Sequence, residues 1–165
     1  MSPTHDSMIE NVITISPENT VTAALEIFKK ANIRSLPVVD KSGNFLGVFG
    51  LRHLLLNLLP VSVRMEDGLQ TLDFLSGAAP GIAKRYHKHM QTPVSELMEK
   101  DEKVVVDEET PTWEVLRVMA LNGSPVSVVN PETSKFIGLV SRQSLLAGLE
   151  GLIEKMEAEG EIDAA

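Results

Sequence analysis

A basic cluster is the first feature of this sequence that could carry chemistry. The run Lys84-Arg85-Tyr86-His87-Lys88-His89 could bind phosphate or nucleic acid, and its two histidines could hold a metal ion. Histidines two positions apart do not share a helical face, and no cysteine or carboxylate pair stands nearby to complete a zinc site. We therefore favour a solvated helix face over nucleic-acid or metal binding, and predict no metal site.

Enzyme motifs are missing from the sequence. It has no glycine-rich phosphate loop after a strand, no nucleophile elbow and no paired carboxylates in a turn. The acidic run Asp107-Glu108-Glu109 precedes a predicted helix, where negative charge complements the helix dipole. We predict no catalytic residues, and we expect a protein that is not an enzyme.

Composition narrows the class of protein further. The 165 residues suit one compact domain, and the net charge of -8 argues against a protein that mainly coats nucleic acid or an anionic membrane. The absence of cysteine excludes disulfides, a thiol nucleophile and thiolate metal sites. No basic-then-apolar leader and no apolar run of about 20 residues is present. We expect a cytoplasmic protein without membrane contact.

An internal repeat organises the chain. Residues Phe45 to Leu55 lie over Phe136 to Leu146 without a gap, and Phe, Gly, Leu and Leu are identical across the match. Upstream, Leu36 to Asp40 matches Val126 to Asn130. Agreement in both order and spacing makes chance similarity a poor explanation.

The first copy shows which elements each repeat should contain. Val12 to Ile15 is a short β-rich run, and Thr20 can cap a helix whose apolar residues recur with helical spacing, at Val21, Ala24, Leu25 and Phe28. A buried strand, a turn, a returning strand and a second helix follow. In the second copy, Thr110 is the predicted cap, Pro111 takes the first helical position, and the apolar face comprises Val115, Val118 and Leu121.

These elements predict an α/β (α+β) fold of two pseudo-symmetric β-α-β-β-α repeats packed as one module. Each repeat has about 50 residues and is too small to bury enough surface alone. We place the repeats at residues 8–59 and 98–153, and a helical insertion at 60–97. Residues 154–165 are expected to form an acidic tail that frays.

The insertion is longer than a simple connector. Its apolar residues recur at helical spacing in two groups, which predict two short helices separated by residues 76–81: Met65, Leu69, Leu72 and Leu75, then Ile82, Tyr86 and Met90. Such an insertion could form a lid or a partner site.

The run Asn32 to Asp40, followed by Gly47-Val48-Phe49 and a helix, closely resembles the CBS (cystathionine β-synthase) domain. CBS domains occur in tandem, and the second copy here keeps the pattern at Val126, Gly138 and Ser141. The resemblance implies a regulatory module that binds AMP, ADP, ATP or S-adenosylmethionine in clefts between two repeats. It also implies dimers. No cofactor would be required.

The resemblance also implies specific ligand contacts, from which this sequence departs. In the family, a Thr or Ser contacts phosphate or ribose, and an Asp three residues later binds the ribose hydroxyls. Here Gly50 and His53 occupy these positions in the first repeat, whereas Ser141 and Ser144 occupy them in the second. The second repeat is therefore the better candidate, because Ser141 and Arg142 begin a helix whose N–H groups favour a phosphate.

We accordingly predict a set of ligand-binding residues around the two cleft walls: Arg34, Ser35, Pro37, His53, Pro125, Val126, Ser141, Arg142 and Ser144. The leading hypothesis is an adenine-nucleotide sensor that signals to an unknown partner protein. The alternative is a ligand-free homodimeric scaffold with degenerate clefts, and a nucleic-acid contact through residues 84–89 is a weaker third.

The predicted helices that follow each returning strand are apolar around most of their circumference. They cover residues 51–59 and 145–153, and a helix of this kind is buried on more than one side. We predict a homodimer through these helices, as the family resemblance also implies.

Overall fold

The first repeat folds as two helices and a pair of adjacent strands. The computed structural model describes residues 4–60 and 79–164. In chain order, this repeat contains α1 (Val21–Ala31), β1 (Ser35–Val39), β2 (Phe45–Gly50) and α2 (Leu51–Leu58). β1 and β2 are hydrogen-bonded neighbours. Thr20 caps α1 by accepting a hydrogen bond from the Ala23 N–H at 3.3 Å, which confirms the predicted helix start.

After the first repeat come α3 and the elements of the second repeat. They are α3 (Ala79–His89), β3 (Val105–Val106), α4 (Thr112–Asn122), β4 (Val126–Val129), β5 (Phe136–Val140) and α5 (Arg142–Ala158). β4 pairs with β3 in parallel and with β5 antiparallel, and its first residue, Val126, lies opposite Val140. The mixed fold of helices and small sheets predicted from the repeat is confirmed.

The leading strand of the first repeat is shorter than the sequence suggests. Instead of a strand over Val12 to Ile15, only Ile15 forms a bridge, with Val38. Ile15 donates to the Pro37 carbonyl and accepts from the Val39 N–H, each at 3.0 Å. β-branched composition therefore predicted a strand at this place but overestimated its length.

The start and the buried face of α4 also differ from the prediction. Pro111 is the cap residue, and Thr110 instead forms a turn with Asp107, whose N–H it accepts at 3.2 Å. Leu121 is 69% exposed, whereas Met119 is buried with Val115. The reason is geometric, since residue 119 lies one helical turn from 115 but residue 121 falls on another face.

Within the insertion, α3 confirms the helix predicted from Ile82 and Tyr86. Pro80 and Gly81, expected in the separating loop, lie in its first turn, where proline is well tolerated. The other predicted helix, over residues 65–75, lies outside the described residues. At the far end, α5 continues to Ala158, so part of the expected tail is helical.

Contacts divide the chain into two units that do not follow its linear order. The first-repeat unit comprises Ile13–Ser42 and Leu46–Lys100. The second-repeat unit comprises Met1–Val12, Gly43–Phe45 and Asp101–Ala165. Each unit therefore contains one repeat together with the segment that leads into the other.

These leading segments, which we call the N-terminal arm (residues 4–12) and the central arm (residues 94–100), pair with strands. In the second-repeat unit, Ile9 of the N-terminal arm exchanges two backbone hydrogen bonds with Leu139, at 2.7 and 3.0 Å. In the first-repeat unit, Glu99 of the central arm does the same with Val48, at 2.8 and 2.9 Å. The two arms are thus exchanged between repeats.

Each unit has its own apolar core. In the first-repeat unit, α1, both strands and the central arm contribute buried side chains, among them Phe28, Leu36, Phe49 and Val94. In the second-repeat unit, the core contains Val115, Val126, Val128, Val140 and Leu145. Each core includes residues on both sides of a strand-to-helix junction, Phe49 and Leu54 in the first repeat and Val140 and Leu145 in the second.

Candidate functional site

The start of α2 is organised by a histidine. Gly50 is the cap residue and has no side chain to offer the first N–H groups of the helix. His53 Nδ1 accepts a hydrogen bond from the Gly50 N–H at 3.0 Å, and its Nε2 lies 3.1 Å from Glu99 Oε2. An accepting Nδ1 carries no proton, so Nε2–H donates to the carboxylate.

The electrostatics of His53 support this neutral form. Desolvation by burial lowers the pKa of His53 below its usual value, and Arg52 acts in the same direction, although Glu99 opposes both. The imidazole is therefore uncharged at neutral pH and connects the start of α2 to the central arm.

Packing favours a small residue at position 50. A Cβ there would lie 3.0 Å from the Arg34 carbonyl oxygen and 3.1 Å from Ser35 Cβ. The same Arg34 carbonyl accepts the Leu51 N–H at 3.0 Å. The first repeat thus brings Arg34, Ser35 and His53 to one junction, but leaves little room for the hydroxyl side chain expected at position 50.

The start of α5 is organised by two serines. Ser141 Oγ accepts the Ser144 N–H at 3.0 Å, and Ser144 Oγ accepts the Ser141 N–H at 2.9 Å. Ser144 Oγ also donates to the Ser141 carbonyl at 3.1 Å. This reciprocal capping box engages both hydroxyls in stabilising the helix, while the Arg142 side chain beside them is exposed.

The remaining predicted site residues lie in or beside the strands. Val126 is buried opposite Val140, which precedes Ser141, so Pro125 and Val126 lie next to the start of α5. Pro37 is buried within β1, and its carbonyl is bonded to Ile15. Pro37 is therefore a packed apolar residue and offers no polar contact to a ligand. The assignment of all nine residues to ligand binding stays a prediction.

Glu99 is a candidate residue that the sequence reasoning missed. Its carboxylate contacts the side chain that stands where the family pattern has Asp. Met8 and Met98 open the two repeats in corresponding places, so Glu99 corresponds to Ile9. When the two repeats are aligned, a charged residue in one copy stands at a position that is apolar in the other. This difference was the sequence signal that could have identified Glu99.

The basic cluster on α3 has a partly structural role. Arg85 Nη1 donates to the Leu58 carbonyl at 3.2 Å, and His89 Nε2 lies 3.3 Å from the Asn57 carbonyl. These are the last carbonyls of α2, which need donors from outside the helix. Lys84, His87 and Lys88 are exposed.

Two features are absent from residues 4–60 and 79–164. Within these ranges, no three His, Cys, Asp or Glu side chains are grouped so that they could hold a metal ion. No helix in the same ranges has both the length and the apolar character needed to cross a bilayer.

Comparison with known proteins agrees with the repeat structure. The CBS domain family matches at residues 6–60 and again at 94–151. A CBS domain-containing protein of Dictyostelium discoideum is 29% identical over 151 residues, which is 89% of this chain and 90% of that protein.

Solved structures share the fold at low sequence identity. CBSX2 in complex with AMP is 21% identical with a TM-score of 0.65, and the match covers 92% of this chain and 99% of CBSX2. CbpB in complex with c-di-AMP is 12% identical with a TM-score of 0.66, covering 96% and 91%. Because both the sequence match and the fold occur over the two repeats, this chain belongs to the CBS domain family and carries the domain as a tandem pair.

Proposed function

We propose that this protein is a regulatory module, not a catalyst, which binds an adenine nucleotide and signals its presence to a partner protein. The observation that supports this most directly is the pair of CBS domains, since structural neighbours with the same fold are complexes with AMP and with c-di-AMP. AMP, ADP, ATP and S-adenosylmethionine are the ligands to test. Binding would shift the module toward the conformation that favours the ligand.

The second repeat offers the stronger phosphate site. Ser141 and the exposed Arg142 begin α5, a 17-residue helix, whose N-terminal N–H groups and dipole favour an anion. In the first repeat, Gly50 supplies no hydroxyl. We therefore propose that the phosphate of the ligand lies against Ser141 and Arg142.

A second candidate function is a homodimeric scaffold that binds no nucleotide. His53 and Ser144 stand where the family has a ribose-binding aspartate, and both side chains are engaged in capping their helices. Leu55 on α2 and Leu146 on α5 are 62% and 58% exposed in the single chain. A partner copy would remove these side chains from water, which favours association.

A thermal-shift panel of the four ligands separates the two functions. A ligand at 100 times its Kd stabilises the fold by about 2.7 kcal/mol, and this should raise the Tm measurably. No shift with any ligand at millimolar concentration would refute the sensor and favour the scaffold.

The site is then tested with Ser141→Gly, which copies the first repeat. Glycine replaces serine at a helix cap at a cost of only a few tenths of a kcal/mol, so the variant should remain folded. We expect AMP to bind it at least severalfold more weakly than the wild type. Thr20→Gly, at the cap of α1, is the matched control and should bind AMP normally.

A further inference from the structure

The central arm brings a carboxylate to the start of α2. Glu99 Oε2 lies 3.1 Å from His53 Nε2, and its side chain is 52% exposed, whereas that of His53 is only 15% exposed. The carboxylate is therefore anchored on its inner side by a shielded donor while much of its surface faces solvent. Neither repeat contributes an acidic side chain at the corresponding position of its own helix.

Glu99 is held in place by both its backbone and its side chain. Its N–H and carbonyl bond to Val48 at 2.9 and 2.8 Å, and its carbonyl lies against Gly47, where an added Cβ would be 2.8 Å away. His53 cannot turn away without losing the Gly50 N–H. A group fixed in this way needs little reorganisation to bind a ligand.

The chemistry of this carboxylate suits neighbouring hydroxyl groups. Two carboxylate oxygens can accept about four hydrogen bonds, and His53 supplies one. The Leu51 N–H donates to the Arg34 carbonyl, but Gly50 provides no side-chain cap for the next two N–H groups of α2, those of Arg52 and His53, which can bind a phosphate. A phosphate and a vicinal diol are both present in a ribonucleotide.

On the basis of the proposed function, we propose that Glu99 is the diol-selecting residue of the first repeat, accepting hydrogen bonds from both ribose hydroxyls of a bound nucleotide. The selecting carboxylate thus comes from the central arm, which opens the second repeat in sequence but pairs with the first. A competing explanation is that Glu99 only stabilises the positive end of α2.

Titration calorimetry with AMP and with 2′,3′-dideoxyadenosine 5′-monophosphate distinguishes the two explanations. The Ser141→Gly background weakens the second-repeat site, so the remaining binding reports on the first. Hydrogen bonds to a charged group are strong enough that AMP should bind at least about tenfold more tightly than its dideoxy analogue. Glu99→Gln should bring this ratio close to one, mainly by weakening AMP.

Glu96→Gln, on the same arm and also exposed, is the matched control and should keep the full ratio. Glu99→Asp retains the charge on a shorter side chain and should give an intermediate ratio, which provides a second test should Glu99→Gln fold poorly. If both Glu99 variants lose stability but keep the wild-type ratio, Glu99 is only a helix stabiliser and the proposal is wrong. Equal binding of both nucleotides by the Ser141→Gly protein overturns this inference alone. No AMP binding to the wild type overturns the proposed function together with this inference.

Discussion

Val48 and Glu99 are 51 positions apart, yet they exchange both of their backbone hydrogen bonds as neighbouring strand residues do. Ile9 and Leu139, which are 130 positions apart, repeat the relationship in the other unit. Arm exchange is therefore a property of both repeats. Gly47 and Gly138, which lie beside these pairs, leave room for the arm backbone because they have no Cβ.

The arm contacts predict opposite effects for the same substitution at two glycines. In Gly138→Ala, the new Cβ would lie 2.6 Å from the Ile9 carbonyl oxygen, so the arm must move, and we expect a loss of about 1–3 kcal/mol in the free energy of unfolding. In Gly151→Ala, within α5, nothing lies within 4 Å, and better helix propensity should add about 0.5–1 kcal/mol. Urea denaturation of both variants measures the difference. Equal effects would contradict the arm packing.

The pKa of His53 predicts a dependence of stability on pH. Because burial lowers this pKa in the folded state, the unfolded chain binds more protons between the folded pKa and the ordinary value of 6.5. The contribution of neutral His53 to the free energy of unfolding is thus fully present above pH 6.5 and is lost as the pH falls through the pKa of the folded state. His53→Asn, which cannot be protonated, should show a flatter profile of urea midpoint against pH. Parallel profiles for variant and wild type would contradict the neutral histidine.

The exposed leucines predict which substitutions would separate the proposed homodimer. Leu55→Glu and Leu146→Glu place a charge on side chains that are 62% and 58% exposed in the single chain, so the fold should survive while association is lost. Analytical ultracentrifugation at micromolar concentration measures the mass. Ile162→Glu, which changes a 38% exposed residue near the C-terminus, should remain dimeric. A monomeric wild type would refute the proposed homodimer.

The contacts of α3 predict that two neighbouring basic residues differ in importance. Arg85→Met removes a donor to the Leu58 carbonyl at the end of α2 and should cost about 0.5–1 kcal/mol. Lys84→Met, on an exposed residue of the same helix, should change stability by less. Thermal unfolding of the two variants provides the comparison. An equal loss of stability in both would show that the removed positive charge, and not the hydrogen bond to the Leu58 carbonyl, causes the effect.

Much of the fold could be predicted because it depends on local patterns. The spacing of Val21, Ala24 and Phe28 predicted the buried face of α1, and the repeated apolar runs predicted buried Leu36 and Val126. The arm exchange was not predictable, because a pairing such as Ile9 with Leu139 joins distant segments through backbone atoms that leave no side-chain pattern.

Prediction of the candidate site was limited in the same way. The sequence drew attention to His53 and Ser144 through their departure from a family motif. It could not show that both side chains accept an N–H from their own helix start, nor that Glu99 reaches His53 from another segment. Such contacts depend on tertiary structure, which a single sequence reveals only indirectly.

The exchanged arms also affect how the protein is made. A chain leaving the ribosome cannot complete the first-repeat unit when residue 59 emerges, because Glu99 must still be synthesised to pair with Val48. The N-terminal arm must wait still longer, until Leu139 emerges. The N-terminal arm is therefore translated first but is among the last segments to acquire its partner, whereas the first-repeat unit can be completed once Lys100 has emerged.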